Sequence, residues 1–234
     1  LLFVGRATKR RLAELGMYTI GDVARASAEQ LRATLGKNGL MLRRFARGED
    51  DAPVLWSEEA EEIKSIGNST TTPHDLKHED DAKAVLYLLS DSVAARLRAH
   101  RFACRTVSVW MRDTELGGLG RQCRLKRESD CGTDIARAAL GLLREHYDWH
   151  LPLRSLGVCG SDLVSTWSPL QMPLWEPGDV RRARALDGAL DGIRARWGHN
   201  SIRRGLMLVD REALSINPVD DHSLQPLGAM HGRG

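Results

Sequence analysis

Residues 105–127 read RTVSVWMRDTELGGLGRQCRLKR, and this stretch decides the fold class of the longer part of the chain. Apolar and polar residues alternate on both sides of the run ELGGLG, which predicts two strands that each bury one face. A glycine-rich run between two such strands predicts a hairpin turn. Val107, Val109 and Met111 share the predicted core face of the first strand. The opposite, solvated face of the hairpin carries Thr106, Ser108, Trp110, Arg112, Gln122, Arg124 and Lys126.

Two amphipathic helices and two further strands surround this hairpin. Apolar residues recur at helical spacing over residues 80–100 and over residues 133–147. The segments IKSIGNSTT (63–71) and LRSLGVCGSDLV (153–164) are candidate strands. The order strand, helix, strand, strand, helix, strand is the split βαβ pattern of an α+β sandwich. We therefore predict a domain over residues 63–168, in which two helices cover one face of a four-stranded sheet and the other face meets water.

Residues 1–48 have a different pattern, which predicts a small all-helical module. Thr8, Thr19 and Ser27 can each cap the start of a helix. The module holds ten Lys and Arg against three Asp and Glu, whereas residues 49–62 hold seven Asp and Glu and no base. A basic module on an acidic, solvated linker favours a polyanion as ligand. Charge alone leaves open a soluble basic domain that binds no polyanion.

Two glycine turns in the helical module are candidate anion sites. The first N–H groups of a helix have no acceptor inside it, and they lie at the positive end of the helix dipole. A backbone phosphate fits such a site whatever the base sequence. An ordinary helix start without a ligand is the alternative. The candidate contacts are Gly5, Arg6, Ala7, Thr8 and Lys9 in VGRATKRRL, and Gly36, Lys37, Asn38 and Gly39 in LGKNGL.

Residues 169–234 predict a tail that contains one helix. Its first part, LQMPLWEPGD (170–179), places large apolar residues between prolines, which disfavour a helix or a central strand. An extended segment with exposed apolar side chains is favourable when a groove receives it. The groove could belong to a partner or to the chain's own domain.

Motifs for chemistry are missing from the sequence. It contains no Walker loop, no Ser-His-Asp arrangement and no HExxH motif, and its acidic pairs are typical of solvated charges. The four cysteines lack CxxC spacing, which favours free thiols in a reducing cytosol over a zinc site. No apolar run approaches the ~20 residues of a membrane span. We expect a cytoplasmic piece of a longer protein, without catalytic residues or a metal site of its own.

Three stretches carry a resemblance to a known family: VGRATKRRLAELGMYTIGDVA (4–24), LGKNGLMLRRFARGEDDAPV (35–54) and SIGNSTTTPHDL (65–76). Together they resemble the C-terminal half of a bacterial Y-family translesion DNA polymerase. In that family a thumb with a helix-hairpin-helix precedes a linker and a little-finger domain, a four-stranded sheet backed by two helices. QMPLW (171–175) resembles the bacterial sliding-clamp motif, and ALDGIRARWGHNSIRRGLML (189–208) resembles tails of Gram-positive and SOS-type members.

The resemblance implies roles for residues of this chain. Both glycine turns of the thumb would bind the primer backbone. Residues of the first strand and of the hairpin in the little finger would line the template backbone. The segment QMPLW (171–175) would dock on the sliding clamp. The implied little-finger contacts are Ser65, Asn68, Ser69, Thr70, Thr71, Arg112, Arg121, Gln122 and Arg124, and the implied clamp contacts are Gln171, Met172, Leu174 and Trp175.

This sequence departs from the family in three respects. Phe3 stands where the thumb turn commonly has a first glycine, and Pro173 is unusual within a clamp motif. The palm and fingers, which hold the metal-binding carboxylates, have no counterpart, so Mg²⁺ is expected for the parent enzyme only. Two other functions stay open: a stand-alone helix-hairpin-helix DNA-binding protein, and an adaptor whose task is the clamp contact.

Overall fold

The computed structural model describes residues 1–50, Pro53, 63–167 and 178–208. These residues form two compact units, one that contains residues 1–50 and one that contains residues 63–167 and 178–208. The first unit is helical, with α1 (Arg6–Glu14), α2 (Ile20–Arg25), α3 (Ala28–Leu35) and α4 (Lys37–Ala46). The second unit contains β1 (Ser65–Leu76), α5 (Glu79–Ala99), β2 (Phe102–Asp113), β3 (Gly118–Ser129), α6 (Gly132–His146), β4 (Leu153–Ser165) and α7 (Gly178–Trp197).

Two of the three capping residues predicted for the first unit cap a helix in the structure, and one does not. The Thr19 hydroxyl accepts a hydrogen bond from the N–H of Asp22, and the Ser27 hydroxyl accepts one from the N–H of Gln30, so both predicted caps are confirmed. The predicted cap at Thr8 is wrong. Helix α1 begins three residues earlier than a Thr8 cap would place it, because Gly5 is extended and its carbonyl accepts the first helical bond from the N–H of Lys9.

The core of the helical unit consists of a few large apolar residues and one close helix contact. Leu31 and Leu42 are fully buried where α3 packs on α4. Gly39 allows this contact, because a Cβ there would lie 2.2 Å from the Leu31 carbonyl oxygen. The remaining buried apolar residues are Leu12, Met17 and Val23.

The sheet of the second unit has the strand order β1-β4-β2-β3, and every neighbouring pair is antiparallel. Strand β4 therefore lies between β1 and β2, which helix α5 connects, and β2 lies between β3 and β4, which helix α6 connects. These are two interlocked split βαβ units, and the predicted α+β fold is confirmed.

Helices α5 and α6 cover one face of this sheet. All the apolar residues predicted for their stripes are buried, and Val107, Val109 and Met111 meet them from β2. The glycine-rich turn joins β2 to β3 as expected, and the Asp113 carboxylate accepts a hydrogen bond from the N–H of Gly117. The sheet thus has one covered face and one open face.

The described part of the tail, residues 178–208, folds back onto the helix layer of its own unit. Arg98 of α5 forms ion pairs with Asp187 (3.2 Å) and Asp191 (2.6 Å) of α7. The carboxylate of Asp91 on α5, only 4% exposed, accepts hydrogen bonds from the Nε and Nη2 groups of Arg204. Met207 enters the main core at 1% exposure. No helix in the described part of the chain is long and apolar enough to cross a membrane.

Candidate nucleic-acid interface

The start of α1 presents unpaired backbone donors to solvent. Gly5, Arg6 and Ala7 are exposed and Thr8 is half-buried. No side chain caps this terminus, and no acidic residue lies in its first turn. The N–H groups of Arg6, Ala7 and Thr8 therefore have no acceptor within the helix. Lys9, Arg10 and Arg11 are exposed on the following turn, so the dipole and the side chains present positive charge together.

The start of α4 has the same features at Gly36, Lys37 and Asn38. All three are exposed, no side chain caps the helix, and its first turn contains no acid. Gly36 adopts φ +62°, a conformation that favours glycine. Gly39 was predicted to belong to the same anion site, and its surroundings differ from those of the other three residues. It is buried against Leu31, and its N–H donates to the Gly36 carbonyl.

The other two helices of the first unit satisfy their own termini. Thr19 and Asp22 form a capping box at α2, and Ser27 caps α3, which has Glu29 in its first turn. The pKa of Asp22 is lowered to about 2, first by its contact with the Thr19 side chain and then by the N–H groups of Thr19 and Tyr18. An anion from outside the unit thus has two helix starts to bind, α1 and α4.

Four ladder rows define the open face of the sheet, since the residues between them point into the core. Each row crosses the strands in the order β1, β4, β2, β3. The rows contain no carboxylate, and their cations are Arg112 and Arg124. They read Ser65, Ser161, Thr106, Arg124; Gly67, Cys159, Ser108, Gln122; Ser69, Gly157, Trp110, Gly120; and Thr71, Ser155, Arg112, Gly118.

The register divides the predicted strand contacts between the two faces. Ser65, Ser69 and Thr71 lie on the open face, whereas Asn68 and Thr70 alternate with them and point toward the helices. The Asn68 amide donates to the Ser92 hydroxyl of α5 at 3.1 Å. A polar run shows no alternation in its sequence, so the face of these residues could not be read from the pattern.

The hairpin residues divide in the same way. Arg112, Gln122 and Arg124 lie on the open face, where Gln122 and Arg124 are exposed and Arg112 is half-buried. Arg121 pairs with Val109, a core residue, so it lies on the helix-covered face of the edge strand. Arg121 therefore does not share the open face with the other three residues, and its contact with the template backbone stays a prediction.

Sequence reasoning missed the contribution of β4 to the open face. Ser155, Gly157, Cys159 and Ser161 occupy its central strip, and the Ser155 and Thr71 hydroxyls are hydrogen-bonded at 2.9 Å. The signal was present as small residues at every second position of RSLGVCGS. Small side chains at the centre of a sheet allow a ligand to approach the strands closely.

The remaining sequence-based predictions concern the clamp segment, a metal site and the cysteines. The proposed clamp contacts Gln171, Met172, Leu174 and Trp175 lie outside the described residues. Within the described ranges, no group of His, Cys, Asp or Glu is arranged to hold a metal ion. The four cysteines are free, and burial raises the pKa of the Cys104 thiol to about 12.

Comparison with known proteins finds a matching family model for each of the two units. Residues 3–50 match the family described as DNA polymerase-iota, thumb domain, and residues 63–174 match the impB/mucB/samB family C-terminal domain. The chain is 39% identical over 213 residues to DNA polymerase IV of Acetivibrio thermocellus, covering 90% of this chain and 53% of that protein. It is 34% identical over 234 residues to DNA polymerase IV of Pelotomaculum thermopropionicum, covering 100% and 53%.

A solved Y-family DNA polymerase chimera has a similar fold, with a TM-score of 0.58 at 21% identity over 70% of this chain and 46% of that one. The chain therefore belongs to the Y-family of DNA polymerases, and it corresponds to the thumb and C-terminal domains. It spans about half the length of the curated relatives it matches.

Proposed function

We propose that this chain is the DNA-holding part of a polymerase that acts in translesion synthesis and DNA repair. The observation that carries the proposal is the acid-free open face of the sheet, with Arg112 and Arg124 at its ends. The uncapped starts of α1 and α4 add a second surface of amides and cations. Both surfaces suit primer–template DNA, because phosphates accept hydrogen bonds from N–H groups and attract cations.

Contacts of this kind explain how a polymerase could hold a damaged template. Amides and guanidinium groups bind the phosphate backbone, which is the same beside an intact base and beside a lesion. Affinity would then be independent of sequence and would fall as salt rises, because each neutralised phosphate releases counterions. No residue described in this structure is assigned a catalytic role; the parent enzyme would perform nucleotide transfer with Mg²⁺.

The proposal extends to the sliding clamp and to the cellular setting. Residues 171–175, QMPLW, would dock in an apolar groove of the clamp, and this tether would raise the local concentration of a weak DNA binder. The support is the apolar, proline-flanked sequence itself. The setting would be the bacterial cytoplasm during the SOS response.

Titration of DNA binding at several salt concentrations tests the main proposal. The chain should bind fluorescently labelled primer–template DNA weakly and without sequence preference, measured by anisotropy. Arg124→Gln should weaken binding to all sequences alike and reduce the salt slope by about one. Arg6→Gln together with Lys9→Gln removes two cations from the helical unit and should reduce the salt slope by about two. The matched control is Arg182→Gln, an exposed arginine of α7, which should leave the slope unchanged. Binding that is independent of salt, or confined to one sequence, would contradict the proposal.

A further inference from the structure

The centre of the open sheet face holds one large aromatic residue, Trp110. It is 37% exposed and is the single aromatic residue of the four ladder rows. The neighbours in its row are Gly157 on β4 and Gly120 on β3. No side chain on either adjacent strand therefore screens the indole ring from solvent along this row.

The glycines beside Trp110 leave the face uneven. A Cβ at Gly157 would lie 3.0 Å from the Ser69 Cβ and 3.7 Å from the Trp110 Cβ, so a side chain at this position would crowd Ser69. The indole nitrogen lies 3.7 Å from the position that a Cβ of Gly118 would occupy, so the ring extends toward β3. A strip of small residues on β1 and β4 thus borders a ridge of longer side chains on β2 and β3.

The guanidinium group of Arg112 lies against the indole ring of Trp110. The guanidinium carbon is 4.7 Å from the Trp110 ring centroid, a cation–π contact. The Arg112 Nε is buried and has no hydrogen-bond acceptor in the described part of the chain. The cation–π contact with the indole is thus a stabilising contact of a guanidinium whose Nε lacks an acceptor. A positive charge and an exposed aromatic surface are presented together at one point of an acid-free face.

We propose that Trp110, with Arg112 stacked against it, is a binding site for one unpaired nucleobase, so that the open face holds single-stranded DNA as well as duplex backbone. A surface that contacts phosphates alone gains nothing from an exposed indole, whereas single-strand binders combine cations with aromatic rings on which bases stack. Sheets of four strands backed by two helices use their open face in this way for RNA. The inference rests on the proposed function, because it assigns DNA to the same face.

The test compares Trp110→Ala with Trp110→Phe, using a 20-nucleotide single strand of thymidines and a duplex of the same length. Trp110→Ala should bind the single strand about 5- to 150-fold more weakly, which corresponds to the loss of one stacked base. It should bind the duplex within about twofold of the unaltered chain, and its salt slope should not change, since no charge is removed. Trp110→Phe, which keeps a stacking ring, should retain most of the affinity.

Trp197→Ala is the matched control, because Trp197 also stacks with an arginine, Arg196, but lies exposed on α7. It should leave both affinities unchanged. Quenching of tryptophan fluorescence by the single strand should be smaller in Trp110→Phe and unaltered in Trp197→Phe.

Two outcomes would overturn the inference. One is single-strand binding by Trp110→Ala at the affinity of the unaltered chain. The other is an equal loss for single strand and duplex, with a lowered melting temperature, in both Trp110 variants, which would show that the indole supports the sheet. If the unaltered chain bound neither DNA in a salt-dependent way, the proposed function itself would fail.

Discussion

At the scale of single residues, the four helix starts of the first unit differ in whether a side chain accepts a hydrogen bond from the first backbone N–H groups. Thr19 and Ser27 each supply an oxygen to the helix that follows, and both caps could be predicted because the acceptor and its partner are close in sequence. Gly5 and Gly36 supply no side chain, so the helices that they precede keep open donors. Gly39 could not be assigned from sequence, because its role depends on the approach of Leu31 from another helix.

Asp22 gives a pH-dependent prediction at this scale. Its pKa is lowered from 3.8 to about 2, so its ionised form stabilises the helical unit at neutral pH. This contribution is fully present above pH 4 and is lost as the pH falls toward 2. Asp22→Ala should therefore lower the stability of the first unit at pH 7, and the difference from the unaltered chain should vanish near pH 2. Amide hydrogen exchange of α2 between pH 2 and 7 measures it.

Glu14→Gln serves as the control, because it removes one exposed negative charge from the same unit. It should leave the pH profile of α2 unchanged. A constant gap between Asp22→Ala and the unaltered chain over the whole pH range would contradict the capping explanation.

At the scale of elements, periodicity predicted those strands and helices that have one apolar face. The β2–β3 hairpin and the stripes of α5 and α6 were predicted from sequence because each buries every second or every third to fourth residue. Strand β1 has polar residues on both faces, so neither its register nor the face on which Asn68 lies could be predicted from the sequence. The packing of α7 on α5 could not be predicted either, because the contacts are made by Arg and Asp side chains, which are typical of a solvated helix face.

The contact between α5 and the C-terminal segment depends on Asp91. Its carboxylate is 4% exposed and pairs with Arg204 at 2.8 Å and with Arg194 at 3.5 Å. Asp91→Ala would leave two largely buried guanidinium groups without their anion. We expect the second unit to lose about 3–5 kcal/mol of unfolding free energy, measured by urea denaturation.

Asp80→Ala is the control on the same helix, because Asp80 is an exposed acid in the first turn of α5. It should cost less than about 1 kcal/mol. Equal losses in both variants would show that Asp91 acts through general charge rather than through its buried ion pairs.

At the scale of the whole molecule, we expect the proposed DNA binding and the proposed clamp docking to be separable by substitution. Leu174→Ala with Trp175→Ala should weaken binding to a purified bacterial sliding clamp at least about tenfold, since such apolar anchors carry most of the energy of a small interface. Salt-dependent DNA binding should be unaffected. Surface plasmon resonance with immobilised clamp measures the first quantity, and anisotropy measures the second.

The control for this prediction is Trp167→Ala. Trp167 is 72% exposed and stacks with Arg101 at 4.0 Å, immediately before the proline-flanked segment. Its loss should leave clamp binding intact. Unchanged clamp binding by the double variant would remove the proposed docking role from residues 171–175.

The ion pairs of α7 have a consequence for how the second unit responds to ionic strength. Arg98 of α5 pairs with Asp187 and Asp191 of α7, and the Arg98 and Asp187 side chains are largely buried. Because buried charges are screened much less than exposed ones, added electrolyte should leave these pairs in place. The electrolyte that releases a phosphate from an exposed guanidinium should therefore leave α7 attached to α5.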